Sequence, residues 1–333
     1  MMDRLRAAVI GVGSHGSHHA EKYAALAGVD LIGVVDSDAE RAREVARRTG
    51  AEAYGNYREV LGSVDLVSVT TPAPSHFPIA RDCLRAGVHT LVEKPMAQTV
   101  AEAEALIAIA HEHHAVLQPG HVERFNPAVQ GMRPKLNEPH FIEAHRLAPF
   151  NVRGTDVDVL LDLMIHDIEL VSSLIARPVT KIEAVGVPVL THNTDIANAR
   201  LEFDNGCVAN LTASRVSDRR FRKIRLFQQD AYLSVDLVEH EVAVHRKRAR
   251  AVGMAHTDAL QVERLSCGHN DPLQEEIRAF VNAVRTGTPP VVSGEDGKRA
   301  LELVLAVKDV IARSPHLGLV QGDEAVGTVS ARG

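Results

Sequence analysis

The chain has 333 residues, more than one hydrophobic core usually serves, so two domains are expected. With 45% apolar and 24% charged residues it reads as a folded chain, and its net charge of −6 argues against a nucleic-acid partner. No apolar run reaches the roughly 20 residues of a membrane span, and the N-terminus shows no export-cleavage pattern. Cys83, Cys207 and Cys267 are too scattered for a disulfide framework or a CxxC site, so a cytoplasmic protein with no membrane partner is expected.

In chain order, residues 5–10 form a short apolar run that predicts a strand, followed by glycines and a helix over 14–27. A second apolar run, 30–35, leads into Ser37-Asp38-Ala39-Glu40, the form of a capping box opening a charged helix. Residues 65–70 predict a buried strand stopped by Pro72 and Pro74. A helix to 86, a strand over 89–92, a helix over 100–114 and a strand over 116–118 follow. Strands separated by helices of about 10–15 residues predict βαβ units, and hence a doubly wound parallel sheet of the Rossmann type through residue 122.

After Gly120 the pattern changes. One strongly apolar helix is predicted over 157–175, then segments of alternating polarity at 181–190, 197–203, 207–213, 223–229, 232–236 and 241–245. Asp204-Asn205-Gly206 is a hairpin signal between the second and third of these. For residues 123–333 this predicts an α/β domain with an open, largely antiparallel sheet. Residues 247–259 read as a polar loop, helices over 273–285 and 295–312 close the domain, and the tail from Ser314 has no period.

Gly11-Val12-Gly13-Ser14-His15-Gly16 is a GxGxxG pattern lying between a predicted strand and a predicted helix. Gly11 suits a tight turn, Gly13 lets the backbone approach a pyrophosphate, and Gly16 lets helix and strand pack closely. The helix N-terminus, with Ser14 and His15, supplies donors to phosphate. Asp36, about 20 residues further on, is placed to accept the adenosine ribose hydroxyls. A 2′-phosphate would face Asp36 and Asp38, so NAD is favoured over NADP.

Three further segments stand out: Glu93-Lys94-Pro95 after the strand over 89–92, Gly120-His121-Val122-Glu123-Arg124-Phe125-Asn126-Pro127 at the domain junction, and Asp162-Leu163-Met164-Ile165-His166-Asp167 on the apolar helix. With the glycine loop, Asp36 and Thr71-Pro72…His76, they make the chain resemble the Gfo/Idh/MocA oxidoreductases over nearly its whole length. The resemblance implies hydride transfer between a nicotinamide and a secondary alcohol of a sugar or cyclitol. It also implies an exposed sheet face used for association, here as a homodimer or homotetramer.

Carried to matching positions, the resemblance implies a catalytic set of Lys94, Asp162 and His166, which also touches the substrate. His166 is the general base, Asp162 orients substrate or base, and Lys94 hydrogen-bonds the reacting oxygen. Thr71, Pro72, His76, Glu93 and Lys94 line the nicotinamide and ribose. The chemistry agrees: oxidising an alcohol needs a proton acceptor, and histidine titrates in the right range. Asp162 and His166, at i and i+4, share one helix face, in an apolar stretch where unpartnered polar groups are costly. A buried Asp–His pair that only fixes the helix is the open alternative.

GHVERFNP with LDLMIHDIE most resembles the branch that oxidises nucleotide sugars such as UDP-N-acetylglucosamine, toward amino sugars of lipid A or surface polysaccharide. That makes Arg124 and Asn126 candidate substrate contacts. Arg215, Arg219, Arg220, Arg222, Lys223 and Arg225 cluster around one predicted strand and suit a diphosphate, a charged outer rim or oligomer contact being the alternative. A family dehydrogenase of a free sugar, sugar phosphate or inositol stays open, as does a non-catalytic NAD-responsive regulator. His15, His18 and His19, like His111, His113 and His114, have metal-like spacing, but without a Cys or carboxylate to complete a set no metal is expected.

Overall fold

Apolar strands too short to stand alone alternate with helices through the first third of the chain. The computed structural model describes residues 4–151, 157–247 and 260–313. It contains β1 (Leu5–Ile10), α1 (Ser14–Ala25), β2 (Val29–Val35), α2 (Ala39–Thr49), β3 (Glu52–Tyr54), β4 (Leu66–Val69), α3 (His76–Arg85), β5 (His89–Glu93), α4 (Val100–Glu112) and β6 (Leu117–Gly120). The six strands are parallel in the order β3-β2-β1-β4-β5-β6. Strand order reverses between β1 and β4, and the crevice outside their carboxyl ends is where such sheets bind ligands. At three residues, β3 is too short to show a period and was not expected. Nor is the predicted capping box the real one: Asp38, not Ser37, caps α2, accepting from Glu40 N and Arg41 N.

The second half opens with α5 (Pro127–Met132) and β7 (Phe141–Leu147), then α6 (Ile165–Ile175), β8 (Val179–Val187), β9 (Ile196–Phe203), β10 (Val208–Ser214), β11 (Phe221–Phe227), β12 (Ala231–Asp236), β13 (Glu241–Lys247) and β14 (Leu260–Ser266). These eight strands form a second sheet, ordered β14-β13-β12-β11-β7-β10-β9-β8. Neighbours are antiparallel except β7 and β10. The expected sheet of six segments is therefore corrected to eight, with β7 and β14 added. Alternation along the strands buries Ala197, Ala199, Leu201, Ala209, Leu211 and Ala213 on one face, while Asn198, Arg200, Asn210 and Thr212 occupy the other. The predicted polar loop and tail lie largely outside the described residues.

The predicted helix over 157–175 is not uniform. A π-helical turn, Leu160–Met164, precedes α6, and such wide turns frequently mark functional sites. Two last helices, α7 (Pro272–Thr286) and α8 (Gly294–Ala312), return to the first sheet. Leu273, Ile277, Phe280 and Val281 of α7 share a core with Ala7, Val9, Ala20 and Tyr23, each of the four α7 side chains contributing roughly 1.5–3 kcal/mol. A division at residue 122 thus separates the two sheets but not the packing. No helix among the described residues is long and apolar enough to cross a membrane.

Candidate active site

The glycine loop closes the crevice between β1 and β4. Gly11 has φ +89°, a left-handed conformation that disfavours a side chain, and a Cβ there would stand 2.7 Å from Thr71. At Gly16 a Cβ would lie 1.9 Å from the carbonyl oxygen of Gly11, so this position holds helix against strand. Gly13 differs: nothing lies within 4 Å of its Cβ position. Ahead of α1, Gly13 offers no side-chain cap, leaving the first N–H groups to a ligand.

Asp36 ends β2, its carboxylate accepting Val12 N at 3.0 Å, Asp38 N at 2.9 Å and Arg41 Nη1 at 3.2 Å. A cavity of about 840 Å³ is lined by Gly11, Gly13, Ser14, His15, Asp36, Thr71 and Pro72, together with Arg41, Asn56 and Tyr57. Its size, its donor-bearing helix end and its terminal carboxylate fit NAD.

His76 does not join them. It is buried, with Nδ1 2.8 Å from Pro95 O and Nε2 2.7 Å from Thr71 O. Both ring nitrogens are engaged by backbone, so the residue expected to line the nicotinamide is a strut between two loops.

Glu93 ends β5 and is almost buried. Its Oε1 lies 3.0 Å from His15 Nε2 and 3.3 Å from His19 Nε2, and His19 Nδ1 lies 3.1 Å from Ser68 Oγ. Burial pushes the Glu93 carboxyl up, but the two imidazoles hold it well below the ordinary range. Its hydrogen bond raises His15, whereas burial lowers His19. The expectation that no carboxylate completes a histidine set is corrected: His15, His19 and Glu93 bring ligand-type atoms within 4.8 Å of one another. Gly120 on β6 makes room, since a Cβ there would meet Glu93 Oε1 at 2.7 Å.

After Glu93 the chain turns through a cis Lys94–Pro95 bond, and Lys94 crosses to the second domain. Its Nζ donates to Asp162 O at 2.7 Å and lies 3.6 Å from Asp162 Oδ1, at the π-helical turn. Burial lowers Lys94, opposed by Asp162 and Glu93. His166 is half-buried, and its buried Nδ1 has no hydrogen-bond partner. Burial first, then Lys94, Arg146, His121 and Arg222, keep its imidazole unprotonated well below the usual range. Asp162 therefore answers to Lys94, and among the described residues its side chain makes no hydrogen bond to His166.

Beneath His166 lies a network that the sequence reading did not identify. Arg146 on β7, with 1% of its side chain exposed, donates to Asp167 at 3.0 and 2.8 Å and to Glu123 at 2.7 Å. Burial pushes Glu123 up, yet Arg146 and Arg222 hold it below the ordinary carboxylate range. The available signal was the alternation of residues 141–147, which puts Arg146 on the same inward face as Ile142 and Ala144.

The two expected substrate contacts, Arg124 and Asn126, have protein partners. Arg124 donates to Glu169 at 2.8 Å and to Val291 O at 3.1 Å. Asn126 caps α5 through Ala128 N, and its amide donates to Glu123 and Leu237 O. Their polar atoms serve the fold. The arginine cluster also divides: Arg215 is buried and donates to Val157 O at 2.6 Å, Arg225 pairs with Glu143 at 3.3 Å, and Arg222 meets Glu123 at 3.3 Å.

Known proteins agree with this architecture. The family described as "Oxidoreductase family, NAD-binding Rossmann fold" matches residues 5–121, and the GFO/IDH/MocA C-terminal domain matches 138–234. The UDP-N-acetylglucosamine 3-dehydrogenase of Acidithiobacillus ferrooxidans is 41% identical over 92% of this chain and 97% of its own. Myo-inositol 2-dehydrogenase of Thermotoga maritima is 25% identical over 97% of this chain and 100% of its own. A solved structure of the Acidithiobacillus enzyme superposes with a TM-score of 0.88, covering 93% of this chain and 98% of that one. The chain therefore belongs to the Gfo/Idh/MocA family of NAD-dependent oxidoreductases.

Proposed function

We propose that the chain works in the cytoplasm as a nucleotide-sugar dehydrogenase. It oxidises a secondary hydroxyl, the C3 hydroxyl of UDP-N-acetylglucosamine, to the 3-keto sugar, feeding amino sugars of lipid A or surface polysaccharide. The observation that carries this reading is the 41% identity, across 92% of the chain, to an enzyme of that name. NAD, when bound, supplies the hydride acceptor. The loop from Gly11 to Gly16, Asp36, Thr71 and Pro72 would hold it.

The protein's own part is the proton. His166, kept unprotonated by its buried and cationic surroundings, is free to receive the hydroxyl proton. Lys94, held at Asp162, donates a hydrogen bond to the reacting oxygen and stabilises the negative charge that grows there as the O–H bond breaks. The open face of the second sheet would bring copies together as a homodimer or homotetramer.

The test is NADH formation over UDP-sugars, sugar phosphates, free sugars and inositols. Turnover is expected with UDP-N-acetylglucosamine, and a flat response to every UDP-sugar ends the proposal.

A further inference from the structure

Strand β11 lays its residues alternately on the two faces of the second sheet. Ile224 and Leu226 are buried, so Arg222, of the same parity, projects to the helix-covered face, while Lys223 and Arg225 belong to the open one. Arg222 pairs in register with Arg146 of β7, a position where like charges repel. The counter-charge between them is unequal. Arg146 takes both oxygens of Asp167 and the nearer share of Glu123. The Arg222 guanidinium reaches the same Glu123 Oε1 at 3.3 Å, its one side-chain hydrogen bond among the described residues. The other Glu123 oxygen is taken by Asn126.

Arg222 keeps 33% of its side chain exposed against 1% for Arg146. Burial, Arg146 and nearby Arg220 lower its titration against the pull of Glu123, as for a cation with too little negative charge around it. Arg222 and Arg146 meet on the same Glu123 oxygen, and Arg146 holds Asp167, the residue next to His166.

We propose that Arg222 seats an oxyanion of the substrate, a phosphate or a carboxylate, on the floor of the cleft that holds His166. The inference rests on, and deepens, the nucleotide-sugar reading. A guanidinium fork binds such a group through parallel charge-assisted hydrogen bonds. The bound anion supplies the missing counter-charge and anchors the sugar beside Lys94 and His166.

The experiment compares wild type, Arg222→Gln, Arg222→Lys and, on the open face, Arg225→Gln, with NAD saturating. The substrates are UDP-N-acetylglucosamine, UDP-N-acetylglucosaminuronate, N-acetylglucosamine 1-phosphate and neutral N-acetylglucosamine. Arg222→Gln is expected to raise KM for the anionic compounds about 10- to 100-fold, leaving the KM for NAD nearly unchanged. Arg222→Lys recovers part of the loss, and Arg225→Gln shows none. Loss confined to the uronate assigns the seat to a ring carboxylate; loss across the phosphorylated compounds assigns it to phosphate. An unchanged KM for every anionic compound overturns the proposal, as does an equal loss on the neutral sugar. Should wild type oxidise none of the four, the nucleotide-sugar reading fails by itself. Calorimetric titration with UDP and with glucuronate then decides the seat, which requires binding of one of them to be lost in Arg222→Gln.

Discussion

The two sides of the cleft are built from different material. On the first sheet the candidate site is shaped by backbone: a turn at Gly11, a close contact at Gly16, open space at Gly13 and a helix end without a side-chain cap. The second is built on side chains whose charges are partnered inside the protein: Arg146 between Asp167 and Glu123, Arg124 against Glu169, and Lys94 reaching over to Asp162. A backbone site fails where a Cβ intrudes. A charge-balanced site fails where any one partner is removed, because the remaining charge is left in a poorly solvating interior.

The largest separation of the two sides is expected at His166. If His166 is the general base proposed above, His166→Ala should lower kcat by about 10²–10⁴ while the Kd for NAD stays at the wild-type value. Steady-state kinetics and a fluorescence titration with NADH check this. Equal losses in both would show that the sides are not separable.

Next comes the network below it. Arg146→Met leaves Glu123 and Asp167 buried without their common cation, a loss of about 3–5 kcal/mol in urea unfolding. Changing all three together, as E123L/R146M/D167L, should return much of that stability. A mild single variant would mean that water reaches the carboxylates and that this side is less dry than its burial implies.

Glu169 gives the same region a pH signature. Burial pushes its carboxyl from 4.5 up to about 7, although Arg124 pulls the other way. The folded chain thus binds this proton more tightly than the unfolded chain. The resulting stability is full below pH 4.5 and is lost as pH rises through about 7, a change of roughly 3 kcal/mol. Glu169→Gln should flatten that part of the stability–pH curve and make the protein more stable than wild type above it. An unaltered slope would assign the pH dependence to other groups.

This difference in material also governs what could be read in advance. The cofactor loop was legible because its requirements are local: glycines at fixed spacing after a strand, and an aspartate at the end of the next strand. Lys94, Asp162 and His166 were legible through the motifs that carry them, but their contacts were not. Nothing local reports that residues 160–164 form a wide turn, or that Asp162 answers to an amine 68 positions away. Arg146 escaped because charged Glu143 and Arg146 obscured the alternation of β7, and its partners are 21 and 23 positions off. His76, Arg124 and Asn126 were recognised as parts of motifs. A motif does not say whether a side chain faces a ligand or ties two loops together.

The smallest effect tests the backbone side at its most open point. An alanine at position 16 must displace the Gly11 carbonyl, whereas one at position 13 meets nothing within 4 Å. Gly16→Ala should therefore lower thermal stability by about 1–3 kcal/mol, as overpacking does, while Gly13→Ala leaves the unfolding midpoint where it was. The methyl of Gly13→Ala would instead enter the space offered to the pyrophosphate, raising the Kd for NAD about tenfold, or ~1.4 kcal/mol, with KM for the sugar unchanged. If Gly13→Ala bound NAD as wild type does, Gly13 would be a turn residue only, and the approach of backbone to phosphate would have to be sought at Ser14 and His15.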